Sequence, residues 1–355
     1  METRSEVTLS TLRPGVDIAL VSLGTTPGLR RSDEAFAALV RRAGRSCEVV
    51  PVRIGASGRL RRHAAVTDLV EALAARRSAS GIDARAVVYS TITAALLQPR
   101  AETPYGIRFD SIAALNRPGL GGAWQRRRER GVLERARLLM PVSTGAEEAV
   151  AGLRRPRVRV PIPIERIEGA PERDVDAVAY ASYPRKRGLE LLCAAWAEAA
   201  PDGARLVIGG ADRAKGVAWL RRHGVEEPPG VDWAGELPRE EWLDRVRRAR
   251  LFLNASRWEE FGIAPLEALA AGTPVATLPA GGSFEALPLL RELEPRLVAD
   301  DPTPAALSAA IRAGLALSDG ERAAYATRAN DLLEPYREDA IARVVAERVL
   351  PELLP

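Results

Sequence analysis

Cysteine and histidine are nearly absent from this 355-residue chain: Cys47 and Cys193, His63 and His223 are its only ones. The two cysteines are far apart and form no Cys-x-x-Cys pattern, so neither a disulfide framework nor a zinc site is indicated. Two histidines exclude a multi-histidine metal centre. Lysine is scarcer still for a basic protein, with only Lys186 and Lys215 among 51 basic residues. Aromatics make up 5% of the chain and do not interleave with the arginines, which argues against a nucleic-acid module. No run approaches the ~20 apolar residues of a membrane span. The first residues, METRSEVTLSTLRPG, lack the charged-then-apolar layout of a secretory leader. Together these absences predict a cytoplasmic protein with no metal and no other cofactor.

What is present fits a soluble globular protein: 46% hydrophobic and 28% charged residues, with a net charge of +4. The length exceeds one ordinary core and predicts two domains. Arginines and carboxylates are interspersed along most of the chain, as on solvated faces. Two arginine clusters stand apart, Arg59, Arg61, Arg62 and Arg126, Arg127, Arg128, Arg130. They suit an anionic ligand or an acidic membrane surface, and leave peripheral contact with the inner membrane face open.

Strand and helix signals alternate through the first half. Short apolar runs at 17–22, 47–52, 86–90 and 138–143 read as buried strands, with helices at 30–44, 60–77 and 126–137 between them. Residues 23–28, LGTTPG, read as a turn-rich loop. The prolines of 154–163 and the polar 165–176 forbid a continuous helix and mark a linker. The alternation then restarts, with strands expected at 176–181, 205–208, 231–234, 251–254, 275–278 and 296–299. Helices follow at 304–316 and 320–333, a break at Pro335, and a last helix to about residue 349. Such alternation implies an α/β fold of two doubly wound, Rossmann-like domains with parallel sheets, facing across a cleft.

One stretch carries the chemistry. Residues 258–274, WEEFGIAPLEALAAGTP, follow the apolar run 249–255, and 281–285, GGSFE, come shortly after. Pro265 sits in the first turn of a predicted helix and Gly272 just past its end, the expected start and stop signals. An acidic loop at the carboxyl end of a parallel strand, opening onto a helix N-terminus, is where open α/β sheets bind ligands. Glutamate near a helix start also opposes the dipole or caps. A capping box with Glu267 would need a small polar residue three positions earlier, and Ala264 stands there.

The stretch resembles the signature of retaining glycosyltransferases of family 4. Glu259 and Glu267 are separated by seven residues, Phe261-Gly262 lie between them, Ala-Gly-Thr-Pro-Val follows, and Gly281, Gly282 and Glu285 match Gly-Gly-x-x-Glu. The resemblance implies the GT-B fold: an N-terminal acceptor-side domain over 1–163, a donor-side domain over 164–335, and a last helix over 336–355 packing back on the first domain. It implies transfer of a hexose-type sugar, with retention, from a nucleotide-diphosphate sugar to an unidentified acceptor. By the same resemblance Glu259 holds hydroxyls of the transferred sugar and Glu267 those of the ribose. Ionised carboxylates make strong hydrogen bonds of this kind. Phe261, Gly262, Ile263, Gly209 and Glu285 complete the donor side, and Arg187 with Lys186 neutralises the diphosphate. No Asp-x-Asp motif occurs, and cations with a helix dipole make a metal unnecessary. In the first domain Gly24, Gly28 and Asp110 are the positions expected to meet donor or acceptor.

Four departures qualify the match. Glu260 replaces a glycine, Arg187 a lysine, Ser182 an arginine and Phe109 a histidine. They leave room for a catalytically degenerate protein that binds a nucleotide-sugar or protein partners, or for an epimerase on the same fold. The assignment requires Glu259 and Glu267 to face the groove; burial against their own lobe counts against it.

Overall fold

Every strand of the first sheet is parallel, which requires a crossover after each and buries both faces. Its strands are β1 (Val16–Ser22), β2 (Cys47–Pro51), β3 (Ala84–Tyr89), β4 (Tyr105–Phe109) and β5 (Leu138–Pro141), in the order β2-β1-β3-β4-β5. The structure is a computed structural model that describes residues 15–54, 64–98, 103–117, 119–169 and 172–354. The chain divides into two compact units, one of Met1–Val142, Ala146–Val160 and Ile341–Pro355, the other of Ser143–Gly145 and Pro161–Ala340.

Alternate residues of the first sheet point to opposite faces. Ile18, Leu20 and Val88 pack with Phe36 and Leu39 on one face. Val21, Tyr89 and Ile107 pack with Ala72 and Leu133 on the other. Ile341, Val345, Val349 and Leu353 recur every four residues and join the Phe36 face, so the end of the chain belongs to this core.

Strand β4 was not legible in the sequence. It reads Tyr-Gly-Ile-Arg-Phe, and its Arg108 looks like a surface residue. The side chain is instead buried, over the Phe36 ring at 4.6 Å, donating to Ser32 and paired with Asp33 at 3.4 Å. Burial pushes the Asp33 carboxyl up and the Arg108 guanidinium down, against their mutual attraction. Two further expectations change. Helix Pro27–Arg42 begins earlier than predicted, because Thr26 caps it by accepting from Leu29 N at 3.1 Å; Gly28 therefore lies in a first helical turn, not in a loop. The strand expected at 296–299 is a 3-10 turn, Pro295–Leu297, followed by a single bridge between Val298 and Thr277. Glu294 caps that turn ahead of Pro295, which leaves too few extended residues for a strand. Residues 1–14, the cluster Arg59, Arg61 and Arg62, and residues 170–171 of the linker lie outside the described residues.

The second sheet comprises β6 (Val175–Tyr180), β7 (Leu206–Gly209), β8 (Val231–Gly235), β9 (Ala249–Asn254) and β10 (Val275–Thr277). All are parallel, in the order β10-β9-β6-β7-β8. The chain runs outward from β6 to β8 and then returns to lay β9 on the other side of β6. That reversal opens a crevice at the carboxyl ends of β6 and β9, the ligand position of open α/β sheets. Helices Leu189–Ala199 and Pro304–Leu315 cover one face through Leu192, Cys193, Trp196, Leu307 and Ile311. Burial raises the Cys193 thiol to about 12 and Cys47 to about 11, so both behave as small core hydrophobes.

Glu129, on helix Ala123–Leu133, is buried and accepts from Ala113 N at 2.8 and 2.9 Å. Desolvation raises its carboxyl from 4.5 to about 7. The folded state therefore holds a proton that the unfolded chain releases, and stability falls as pH rises from 4.5 through 7. Glu129→Gln keeps an acceptor for Ala113 without the charge. Denaturant melts at pH 4.5 and 7.5 should show the wild type losing on the order of 2–3 kcal/mol more than the variant. Equal losses would contradict the account.

Candidate functional site

The order reversal brings together two loops of opposite charge. After β6 comes the short helix Pro184–Arg187, carrying Arg185, Lys186 and Arg187. After β9 comes the acidic loop that ends at Gly262 and starts helix Ile263–Ala270. The loops touch through their backbones: Arg257 N donates to Lys186 O at 2.9 Å. Gly188 makes the approach possible, since it has φ +58° and a Cβ there would lie 2.2 Å from Ala255 O.

Each carboxylate of the acidic stretch meets a cation of its own unit. Arg187 Nη1 bonds Glu259 Oε2 and Ser256 Oγ, the latter at 3.2 Å. Ser256 Oγ stands 3.1 Å from the same Glu259 oxygen and 2.7 Å from Asn254 Oδ1, and Asn254 Nδ2 donates to Thr277 Oγ1 at 3.0 Å. A polar chain thus runs from the ends of β9 and β10 to the Arg187 guanidinium. Tyr180, the last residue of β6, lies under that guanidinium at 5.9 Å, and Trp242 packs against Tyr180 at 5.5 Å. Arg187 Nε is buried without a hydrogen bond.

Lys186 Nζ pairs with Glu260 Oε2 at 2.7 Å, and Trp258 Nε1 donates to Glu260 Oε1 at 2.8 Å. Glu267 is the fifth residue of its helix, past the first turn, so it is not a cap. Arg239 Nη1 lies 3.1 Å from Glu267 Oε1, an ion pair whose N–H is not aligned for a hydrogen bond, while Arg239 Nη2 pairs with Glu165 at 3.0 Å. Glu259 and Glu267 are 5% and 7% exposed, so both are buried and held by arginines of the same unit rather than standing open. Burial within their own unit is the arrangement that counts against a ligand-facing role for the two carboxylates.

The start of helix Ile263–Ala270 has no side-chain cap. Gly262 adopts φ +83°, and a Cβ there would stand 2.6 Å from the Phe284 ring. Leu266 N reaches Gly262 O at 3.0 Å, and Pro265 has no N–H, so the N–H groups of Ile263 and Ala264 are the unsatisfied first-turn donors.

Several predicted residues are engaged differently from expectation. The Phe261 ring is 4% exposed and packs toward Tyr336 at 6.2 Å, so it anchors the loop in the core instead of presenting a face to a ligand. Glu285 accepts from Thr144 N at 2.7 Å and from the Tyr336 hydroxyl at 2.7 Å, so its carboxylate is taken up by the protein itself. Gly209 ends β7, and a Cβ there would meet the Trp242 ring at 2.7 Å; its role is to admit that ring. In the first unit Gly24 turns with φ +52° and its carbonyl accepts from Arg30 at 2.7 Å. Asp110 is exposed directly after β4. Arg239, Ser256 and Trp258 were missed. Arg239 opens helix Arg239–Arg248, where a cation meets the positive end of the helix dipole, and that misfit was the available signal of another task. Among the described residues no group of three or more His, Cys, Asp or Glu is arranged to hold a metal ion.

Comparison with known proteins bears on the family and the fold. Residues 163–331, most of the second unit, match the family model of the glycosyl transferases group 1. No curated protein matches the chain. Among solved structures, sucrose-phosphate synthase from Thermosynechococcus elongatus has 19% identity and a TM-score of 0.68, covering 93% of this chain and 96% of that one. HepE of Anabaena, in complex with UDP-glucose, has 16% identity and a TM-score of 0.66, covering 94% and 99%. A TarM variant of S. aureus, in complex with fondaparinux, alpha-GlcNAc-glycerol and UDP, has 12% identity and a TM-score of 0.59. That match covers 76% of this chain, which spans 55% of TarM. The fold is thus the two-domain, Rossmann-like architecture of GT-B glycosyltransferases.

Removing one partner of a buried ion pair leaves an uncompensated charge. Arg187→Met should cost about 2–4 kcal/mol in urea denaturation, and the double variant Arg187→Met, Glu259→Gln should recover most of it. A double variant as unstable as the single one would show that the pair does not organise the loops.

Proposed function

We propose that this protein is a nucleotide-sugar-dependent glycosyltransferase whose donor is held by the second unit, at the loops following β6 and β9. One observation carries the reading: the strand-order reversal converges Arg187, Lys186, Glu259 and an uncapped helix start at the carboxyl ends of β6 and β9. The match of residues 163–331 to the glycosyl transferases group 1 model supports it, as do structural relatives solved with UDP-glucose or UDP.

The chemistry follows from those groups. A nucleotide-sugar carries hydroxyls at both ends and a diphosphate between them. Arg187, Lys186 and the N–H groups of Ile263 and Ala264 take the diphosphate and stabilise the charge that builds on it as the glycosidic bond breaks. Glu267 accepts ribose hydroxyls and Glu259 hydroxyls of a hexose. Their burial is compatible with this because an ionised carboxylate has about four acceptor positions. Arg187 and Ser256 occupy one oxygen of Glu259. A carboxylate held in this way positions the sugar and is a poor nucleophile. Retention then arises when the acceptor attacks from the leaving-group side and the departing diphosphate takes its proton, without a metal. Glu285, Phe261 and Gly209 support the loops. Gly24, Gly28 and Asp110 lie at or near strand ends of the first unit, where an acceptor that the sequence does not identify would bind.

The ion pairing of Arg187 and Lys186 also favours a second reading, a protein that binds the nucleotide-sugar without turning it over. Thermal-shift measurements with UDP-, GDP-, ADP- and dTDP-sugars, followed by incubation with acceptors, separate the two. The cognate donor should raise Tm by several degrees at about 100 times its Kd. Glu267→Ala and Arg187→Ala should abolish that shift and lower kcat/KM at least ~100-fold. Conversion of donor alone would identify an epimerase, and full transfer by both variants would end the proposal.

A peripheral membrane contact is also proposed, on the cytoplasmic leaflet. No described helix is long and apolar enough to cross a membrane. Yet among the described residues six of the seven exposed large hydrophobics, Val66, Leu69, Leu73, Leu115, Leu120 and Trp124, lie in the first unit, two of them close in sequence to Arg126, Arg127, Arg128 and Arg130. Aromatic and aliphatic residues beside arginines suit an anionic lipid surface. Sedimentation with phosphatidylglycerol vesicles should fall about tenfold for Leu120→Asp, Trp124→Ala; unchanged binding, or none by the wild type, would remove this contact.

A further inference from the structure

Glu260 stands where the glycosyltransferase signature has glycine, and both its carboxylate oxygens are occupied. Oε2 lies 2.7 Å from Lys186 Nζ and Oε1 accepts from Trp258 Nε1 at 2.8 Å. The backbone beneath is fixed: Glu259 N donates to Gly281 O at 2.8 Å, and Ser283 Oγ donates to Glu260 O at 3.3 Å. The Glu260 side chain therefore projects from a braced loop straight at the lysine. The pair is partly open to solvent, with side-chain exposures of 37% for Lys186 and 22% for Glu260, so it can exchange partners. The neighbouring pair Arg187–Glu259 is more enclosed, at 19% and 6%.

We infer that Glu260 is an internal counter-anion that occupies Lys186 and must release it before the lysine can take a phosphate of the donor. The inference rests on the second unit binding a nucleoside diphosphate, as proposed above. A ligand that displaces an internal partner binds with an affinity scaled down to the fraction of protein in which that partner is already released. Glu260 thus sets the donor affinity of this chain below what its cations alone would give. It also confers selectivity, because only a ligand with enough negative charge at that position displaces it. Trp258 gives the released carboxylate a remaining hydrogen-bond donor, which favours a swing over complete detachment.

A binding cycle tests this on the full-length protein, with calorimetric titration by UDP, GDP, ADP and dTDP in parallel. Glu260→Gln keeps the size and an acceptor for Trp258 Nε1 but loses the charge. It should tighten binding of the preferred nucleoside diphosphate roughly two- to fivefold, the scale of a partly exposed ion pair. Lys186→Gln should weaken binding. The decisive arm is the double variant: if Glu260 acts by occupying Lys186, its substitution gains nothing once the lysine is gone. An equal gain in both backgrounds would mean that Glu260 merely repels the diphosphate through space. Unchanged or weaker binding by Glu260→Gln, with the wild type binding normally, would mean that it serves the ligand directly. Either result overturns the inference while leaving the proposed function standing. Absence of binding by the wild type and every variant would overturn both.

Discussion

The arrangement depends on a topological constraint that becomes an electrostatic one. Because β9 returns to the far side of β6, the loops after the two strands start side by side at their carboxyl ends, and they touch where Arg257 N donates to Lys186 O. One loop carries Arg185, Lys186 and Arg187, and the other Glu259 and Glu260. Like charges in that position would repel, whereas opposite charges lock the two loops at the carboxyl end of the sheet. The Arg187–Glu259 pair is the innermost of these contacts. It is braced beneath by Tyr180 and Trp242 and laterally by Ser256, Asn254 and Thr277.

Such a site is organised before any ligand arrives. Groups already held in position do not have to be ordered at the moment of binding, which is the usual source of catalytic electrostatics. The cost is that the cations are not bare. On the proposed function, a diphosphate entering here would exchange ion pairs rather than find unpaired charge. Affinity is then the difference between two sets of contacts, and small substitutions on the acidic loop acquire leverage. Glu260 is the clearest case, since it is an added charge where the resembled signature has none.

Much of this was legible in the sequence because it is written in local signals. Short apolar runs bounded by turns gave nine of the ten strands. Pro265 and Gly272 marked the ends of the helix that carries Glu267. What remained illegible involves charges whose partners are distant. Arg108 disguised β4 because its partner Asp33 is 75 residues away. Thr144, which holds Glu285, is 141 residues away, and a glutamate that satisfies protein donors looks the same in sequence as one that awaits a ligand. The burial of Phe261 could not be foreseen either, because the ring on which it packs, Tyr336, belongs to a turn near the chain's end. A residue type and a spacing fix what chemistry a side chain can do, whereas its neighbours decide whether that capacity is free.

The central claim is that the crevice at the carboxyl ends of β6 and β9 grips a diphosphate with Arg187 and the start of helix Ile263–Ala270. A crystal structure of the protein with the nucleoside diphosphate that binds it best tests this most directly. The account predicts phosphate oxygens within hydrogen-bonding distance of the Arg187 guanidinium and the Ile263 or Ala264 N–H, with a ribose hydroxyl on Glu267. A nucleotide bound elsewhere, with Arg187 and Glu259 still paired only to each other, would contradict it.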